Sequence, residues 1–528
     1  MPCSPHPMSY HLEALSLPAT AAGYEKAIAE LEIATAAMKQ ARNSAISPIF
    51  KLPVEVLTEM FHWFCHSDPT ADQSFLHPNQ AFPVLALAGV CYAWRAVAYP
   101  RPKLWSVMNI QLQDSWEATV IKWLAKSESS MLSVRIHSGS PPSPSIPQKM
   151  SNALLDCAHR WRELDLYIDN HEQLRSWLSL AALKLVPNFQ SPHSTLPISQ
   201  AANVCFPALE FLRLPRDTLH EMGPYVSSLF GMCPTLQSYS GELYLSSQLD
   251  LSQIKRFRTP YAGAKSLGHF LRRLPKLSHC TLLEFGLERD PVPTPVPTSV
   301  ETYASSITEL SLVNPYPQIY KTDNMFFRNA SLPHLTSLEL SGFETVHEGE
   351  FEALCNILLS SQCKLQKLTL HVGPALSFLQ TYGITQCIKL LKINPHVISL
   401  TLVGYDVPES LTRLAQYLSS QPPDTVEHNS LFSPSIRNLD LTFRRRSVRW
   451  NTNIDKIADE IVDPLCRILQ ARKSSLRIVS LCFGDAKWDN GSFQTYLRDL
   501  LQEKVGDWWN FSEAAEGKGE GVMVLPLR

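Results

Sequence analysis

The sequence lacks any strong excess of charge. Lys and Arg number 47 against 49 Asp and Glu, for a formal net charge of −2. No global field therefore draws it toward nucleic acid or an anionic membrane surface, and neither is expected as a partner. No stretch approaches the roughly 18 uninterrupted apolar residues of a membrane span. The segment Met1 to Pro18 has no basic start followed by an apolar run, so no signal peptide is expected. The 12 cysteines include no C-x-x-C pair. They read as thiols of a reducing compartment, and the expected address is cytoplasmic, nuclear or both.

Catalytic signatures are missing too. There is no G-x-S-x-G elbow and no H-E-x-x-H, and Gly263-Ala264-Lys265-Ser266 lacks the upstream glycine spacing of a phosphate loop. His62, Cys65 and His66 lie close together, but no second cluster supplies the remaining ligands of a metal site. Cys91 falls on an apolar helical stripe with no adjacent base to make it a nucleophile. The expectation is a protein that binds, with no catalytic group, no metal and no cofactor.

What is present is length and pattern. At 528 residues the chain exceeds the roughly 250–300 at which one core stops growing, so it forms several domains or a stacked array. With 45% hydrophobic and 18% charged residues it is globular in composition. Residues 1–23 are expected to be flexible, and 24–46 to form a helix carrying Tyr24, Ile28, Leu31 and Met38 at helical spacing. That stripe is short of three heptads and includes Thr35, so it reads as a packing helix, with a partner-binding coiled coil as the weaker alternative. Ser47-Pro48 ends it. A second helix starts at Pro53 with Val56, Leu57, Met60, Phe61 and Phe64 apolar. Residues 66–83 form a polar insert. One further helix, with Val84, Leu87, Ala88, Cys91 and Trp94, is expected to end before Pro100. Residues 139–147 and 290–297 are Pro-rich linkers, and 512–528 a flexible tail.

From Met131 onward the pattern apolar-x-x-apolar-x-apolar recurs, as in Leu335-Leu338-Leu340 and Leu365-Leu368-Leu370. Its central positions 280, 310, 338, 368, 400, 439 and 479 are 28 to 40 residues apart. Two degenerate units fit near Leu236-Tyr239 and Ile254-Phe257, and helix-like stripes lie between. One strand–helix unit cannot bury its own apolar face, whereas stacked units share a core. The pattern resembles leucine-rich repeats, departing from them at the asparagine position, held here by Phe343, Gly373, Tyr405, Arg444 and Gly484. The expected fold class is α/β: an N-terminal helical module, then a leucine-rich-repeat-like strand–helix solenoid over 106–511. An ordinary α/β domain with parallel strands is the alternative. The residue between the paired apolar positions points outward, giving Ser311, Glu339, Thr369, Thr401, Asp440 and Ser480. With Lys367 beside them, Glu339, Thr401 and Asp440 are candidate contacts to a target protein. Arg444, Arg445 and Arg446, with Arg449 nearby, are a second candidate, for a phosphorylated segment or for nuclear targeting, although a solvated turn is the simpler reading.

Residues 47–105 resemble an F-box, of the kind common in mushroom-type fungi. Leu52-Pro53, Glu55, Leu57 and Phe61 match its first half, and Leu85, Val90-Cys91, Trp94-Arg95, Ala98 and Leu104-Trp105 its second. The resemblance implies a Skp-type adaptor as partner, a cullin-based ubiquitin ligase beyond it, and a substrate-recognition role toward an unidentified target protein. Carried over onto this sequence, the adaptor-binding residues are Leu52, Pro53, Leu57, Val90, Cys91 and Trp94, with Leu57 and Trp94 equally readable as core. The alternative is a non-catalytic repeat scaffold whose F-box-like segment is only a helical cap.

Overall fold

A computed structural model describes residues 20–46, 48–66, 83–138, 146–186, 204–215, 222–241, 249–259, 271–283, 303–313, 330–341, 348–372, 380–404, 407–420, 436–443, 454–472, 476–483, 499–504, 512–513 and 521–526. The chain divides into two compact units. One takes Met1–Ile110 and Ser115–Val134, the other Gln111–Asp114 and Arg135–Arg528.

The first unit is helical. Helix α1 (Ala21–Ile46) opens on Thr20, whose hydroxyl accepts from the Gly23 amide at 3.3 Å. Helix α2 (Val54–Cys65) follows Pro53 and buries Leu57, Phe61 and Cys65, one stripe at fourfold spacing. The single helix expected over 84–99 is instead two, α3 (Pro83–Val90) and α4 (Tyr92–Ala98). Cys91 separates them in an extended conformation, φ −162° and ψ 172°, and its thiol accepts from the Trp94 amide at 3.4 Å. The residue expected on a helix face is therefore a cap. Arg95 Nε reaches back to the Ala88 carbonyl at 3.0 Å and ties the two short helices together.

A 3-10 turn over Pro102–Ser106 sinks Leu104 and Trp105 into this unit. Trp105 Nε1 donates to the Ala98 carbonyl at 3.1 Å. Its ring meets Trp123 of α5 (Glu117–Lys126) edge-on at 4.5 Å, and the Lys126 ammonium stands 4.6 Å above it. Arg101 Nε donates to Thr58 Oγ1 at 2.8 Å, fixing the turn against α2.

Strands β1 (Val107–Gln111) and β2 (Leu132–His137) each contribute residues to both units. The second unit continues with α6 (Gln148–Asp156), β3 (Trp161–Tyr167), α7 (His171–Leu185), β4 (Phe211–Arg213), α8 (Gly223–Phe230), β5 (Ser238–Ser240), β6 (Arg256–Thr259) and β7 (His279–Leu283). After β8 (Tyr303–Ala304) come β9 (Glu309–Val313), β10 (Ala330–Ser331), β11 (Ser337–Ser341), α9 (Glu348–Ser361), β12 (Lys367–Val372) and α10 (Gln380–Ile393). The last units are β13 (Ser399–Gly404), α11 (Val407–Ser420), β14 (Asn438–Phe443), α12 (Ile454–Ala471) and β15 (Ile478–Phe483). Apart from the small β8–β10 pair, the strands from β3 to β15 lie parallel in chain order.

Register follows the leucines. Leu310, Leu338, Leu368, Leu400 and Leu439 face one another across β9 to β14 and are all buried. Each strand presents one side to the core and one to water, as a period of two requires. Strands β5 and β6 occupy the two degenerate units, pairing Tyr239 with Phe257, whose rings lie 5.5 Å apart. Before each strand the chain makes the same turn, so Thr308 donates to Ser278, Thr336 to Thr308, Gln366 to Thr336 and Ile398 to Gln366 through their amides. The hydroxyls of Thr308 and Thr336 repeat the same step at 3.1 Å. Consecutive helices α9 to α12 pack on one another behind the strands.

The expected tail is partly a strand. Residues Gly521–Pro526 (β17) pair antiparallel with β15 and with Ser512–Glu513 (β16). Val522, Val524 and Leu525 are strand formers, which gives this segment a reason to pair despite the glycines before it. Most of the polar insert, residues 139–145 and 290–297 of the two linkers, the five asparagine-ladder positions and Arg444–Arg446 lie outside the described residues, while Pro147 is buried at the start of α6.

Candidate partner-binding surfaces

The helical unit leaves several large apolar side chains of α2, α3 and α4 uncovered. Helix α2 carries two neighbouring apolar stripes, Leu57-Phe61-Cys65 and Val56-Met60-Trp63, with Glu55, Glu59 and His62 on its remaining side. Within the unit it covers only Leu57, Phe61 and Cys65. On its other side Val56 and Met60 are exposed, and Trp63 stands 82% exposed. Phe64, Leu85, Val90 and Tyr92 are exposed as well. Single exposed apolar residues are ordinary, but a run of them on neighbouring helices marks an interaction surface.

The expected adaptor residues divide across this boundary. Leu52, Pro53 and Val90 are exposed, and Cys91 and Trp94 are half-buried. Leu57 is buried, so it is a packing residue of α2 and not a surface contact. One side of Trp94 lies against Phe61, with ring centroids 4.9 Å apart. Val54, Met60, Trp63 and Tyr92 are exposed beside them, although none is among the adaptor residues expected from the sequence. The signal was present, since Val56, Met60 and Trp63 form a second helical stripe beside Leu57, Phe61 and Cys65.

His66, at the end of α2, is tied to the helical unit. The His66 ring lies 3.0 Å from the His62 carbonyl and 3.3 Å from Ser106 Oγ. Burial pushes the Cys65 thiol up to about 12 and lowers the His62 ring. Among the described residues no three His, Cys, Asp or Glu side chains group to hold a metal. None of the helices there is long and apolar enough to cross a membrane.

The second unit offers the open face of its parallel sheet. Ser311, Glu339, Thr369, Thr401, Asp440 and Ser480 stand in register on successive strands, each partly exposed. The Glu339 carboxylate meets His371 Nε2 at 2.9 Å, and that hydrogen bond holds it below the usual carboxylate range. Asp440 is raised by burial, against a 3.3 Å hydrogen bond from Thr401 Oγ1 and the charge of Lys367. Lys367 itself is exposed at the start of β12.

The same row continues back through Thr281, Arg258, Ser240 and Arg213 to Asp165. Asp165 is 3% exposed, and burial raises it to about 6, opposed by Arg213 at 3.3 Å and Arg135 at 3.9 Å. Arg213 also donates to the Tyr167 hydroxyl at 2.7 Å. The face carries both signs, with Asp165, Arg213, Arg256 and Arg258 on β3, β4 and β6 and Glu309, Glu339, Lys367 and Asp440 on β9, β11, β12 and β14. The outward-residue rule, applied to Leu164-x-Leu166 and Leu212-x-Leu214, yields Asp165 and Arg213 from sequence too.

No family model matches this sequence, and no curated protein matches it significantly.

Proposed function

We propose that the chain is an F-box substrate receptor. Its helical unit seats a Skp-type adaptor, through which a cullin-based ubiquitin ligase is reached. Its strand–helix units form an irregular leucine-rich-repeat solenoid whose open sheet face holds the target protein. The observation that carries this reading is the uncovered Val56-Met60-Trp63 stripe of α2, beside exposed Leu52, Pro53 and Val90. An adaptor surface is the partner the F-box resemblance implies for that uncovered side. The receptor's contribution is positional: it raises the effective concentration of target near a ubiquitin-loaded enzyme. The in-register polar row, with charges of both signs, suits a specific protein partner.

The test is direct binding. The purified chain binds a Skp-type adaptor with a Kd at or below about 1 μM by calorimetry. Replacing Leu52 and Pro53 together by alanine weakens that binding while the thermal unfolding of the chain is unchanged. No heat of binding at micromolar concentration overturns the ligase reading and leaves a repeat scaffold with a helical cap.

A further inference from the structure

Helix α1 spans 26 residues, about 39 Å at 1.5 Å per residue. Tyr24, Ile28, Leu31, Thr35, Met38 and Arg42 succeed one another at alternating steps of four and three, the 3.5-residue period of a two-helix seam. The four large apolar members stand uncovered along its whole length, Tyr24 at 49%, Ile28 at 50%, Leu31 at 48% and Met38 at 49% exposure. Ala27, Ala34 and Ala41 line one flank of this seam, small enough for another backbone to come close. Glu25, Glu32 and Lys39 line the other.

Charge selects what covers it. The first half of α1 holds Glu25, Glu30 and Glu32 against one base, Lys26, which pairs with Glu30 at 4.0 Å. The second half holds Lys39 and Arg42 and no acid. A helix acidic at its start and basic at its end is complementary to itself turned end for end.

We propose that α1 pairs antiparallel with α1 of a second copy of this chain. The layers are then Tyr24 on the partner's Arg42, Ile28 on the partner's Met38 and Leu31 on the partner's Thr35, each occurring twice. Arg42 meets an aromatic face, and Glu25 lies beside the partner's Lys39. A parallel pair would instead stack Arg42 on the partner's Arg42. Glu32 facing the partner's Glu32 at the centre is the single like-charge contact in the antiparallel arrangement.

Sedimentation velocity on the full chain, from about 1 to about 100 μM, tests it. The wild type shifts from monomer to dimer within that range, and Ile28→Lys with Leu31→Lys leaves only monomer, with an unchanged far-ultraviolet spectrum. Glu25→Lys and Lys39→Glu each weaken the dimer by roughly three-fold or more, and the double variant restores it, because the pair is only reversed. Positions 25 and 39 cannot couple in a parallel pair. A wild type that stays monomeric, or a double variant no tighter than the singles, overturns the proposal.

Discussion

Helix α2 has a buried stripe and an uncovered one, which the proposed adaptor would cover, so two substitutions two residues apart are expected to have opposite consequences. Phe61 is 2% exposed and packs its ring on Trp94 at 4.9 Å. Phe61→Ala removes a buried ring from a small unit, at a cost of about 3–5 kcal/mol. Adaptor binding falls with it, because the surface that binds is no longer held. Trp63 is 82% exposed, and Trp63→Ala changes stability by no more than about 0.5 kcal/mol. If the adaptor covers this indole, its loss costs about 2 kcal/mol of binding, close to a 30-fold weaker Kd. Urea titration of each variant, with calorimetry against a Skp-type adaptor, separates the two effects. A Trp63→Ala chain that binds within two-fold of wild type refutes a covered α2. A Phe61→Ala chain of wild-type stability refutes the core.

Two further outcomes are expected in the second unit. Charge reversal at Glu339, Lys367 and Asp440 reduces target recovery in affinity capture read by mass spectrometry, with adaptor binding and thermal unfolding unchanged; undiminished recovery moves recognition off this sheet face. Because Asp165 is raised to about 6, the folded chain holds its proton more tightly than the unfolded one between about pH 4 and pH 6. Its contribution to stability therefore falls as pH rises through that window, by at most about 3 kcal/mol. Asp165→Asn removes this dependence, so the variant gains on wild type from about pH 4 to pH 6 and the gain then levels off; a difference that ignores pH refutes burial as the cause.

The parallel strands were legible because a half-buried strand writes its geometry into the chain with a period of two. Leu338-x-Leu340 and its counterparts fix register and outward face together, and even the weak Tyr239 and Phe257 units fall into line. Cys91 was not legible for the opposite reason. Leu87, Cys91 and Trp94 have the spacing of a continuous helix, and a thiol is not among the usual capping residues. Only the extended backbone at Cys91, locked by its contact to the Trp94 amide and by Arg95 on Ala88, reveals the break.

The same distinction explains Leu57. A helix with two neighbouring apolar stripes reports that it needs cover but not which stripe its own chain covers. Leu57, Phe61 and Cys65 could have been the outer stripe, and Val56, Met60 and Trp63 the inner one. The choice is made at long range. Arg101 bonds Thr58, His66 meets Ser106, and the Trp94 ring lies on Phe61, each turning α2 so that the 57–61–65 stripe faces inward. Once those contacts are made, the second stripe has no cover within the helical unit. The stripe left uncovered after folding, the one proposed above to meet a partner, is thus selected by residues distant in sequence, Trp94, Arg101 and Ser106.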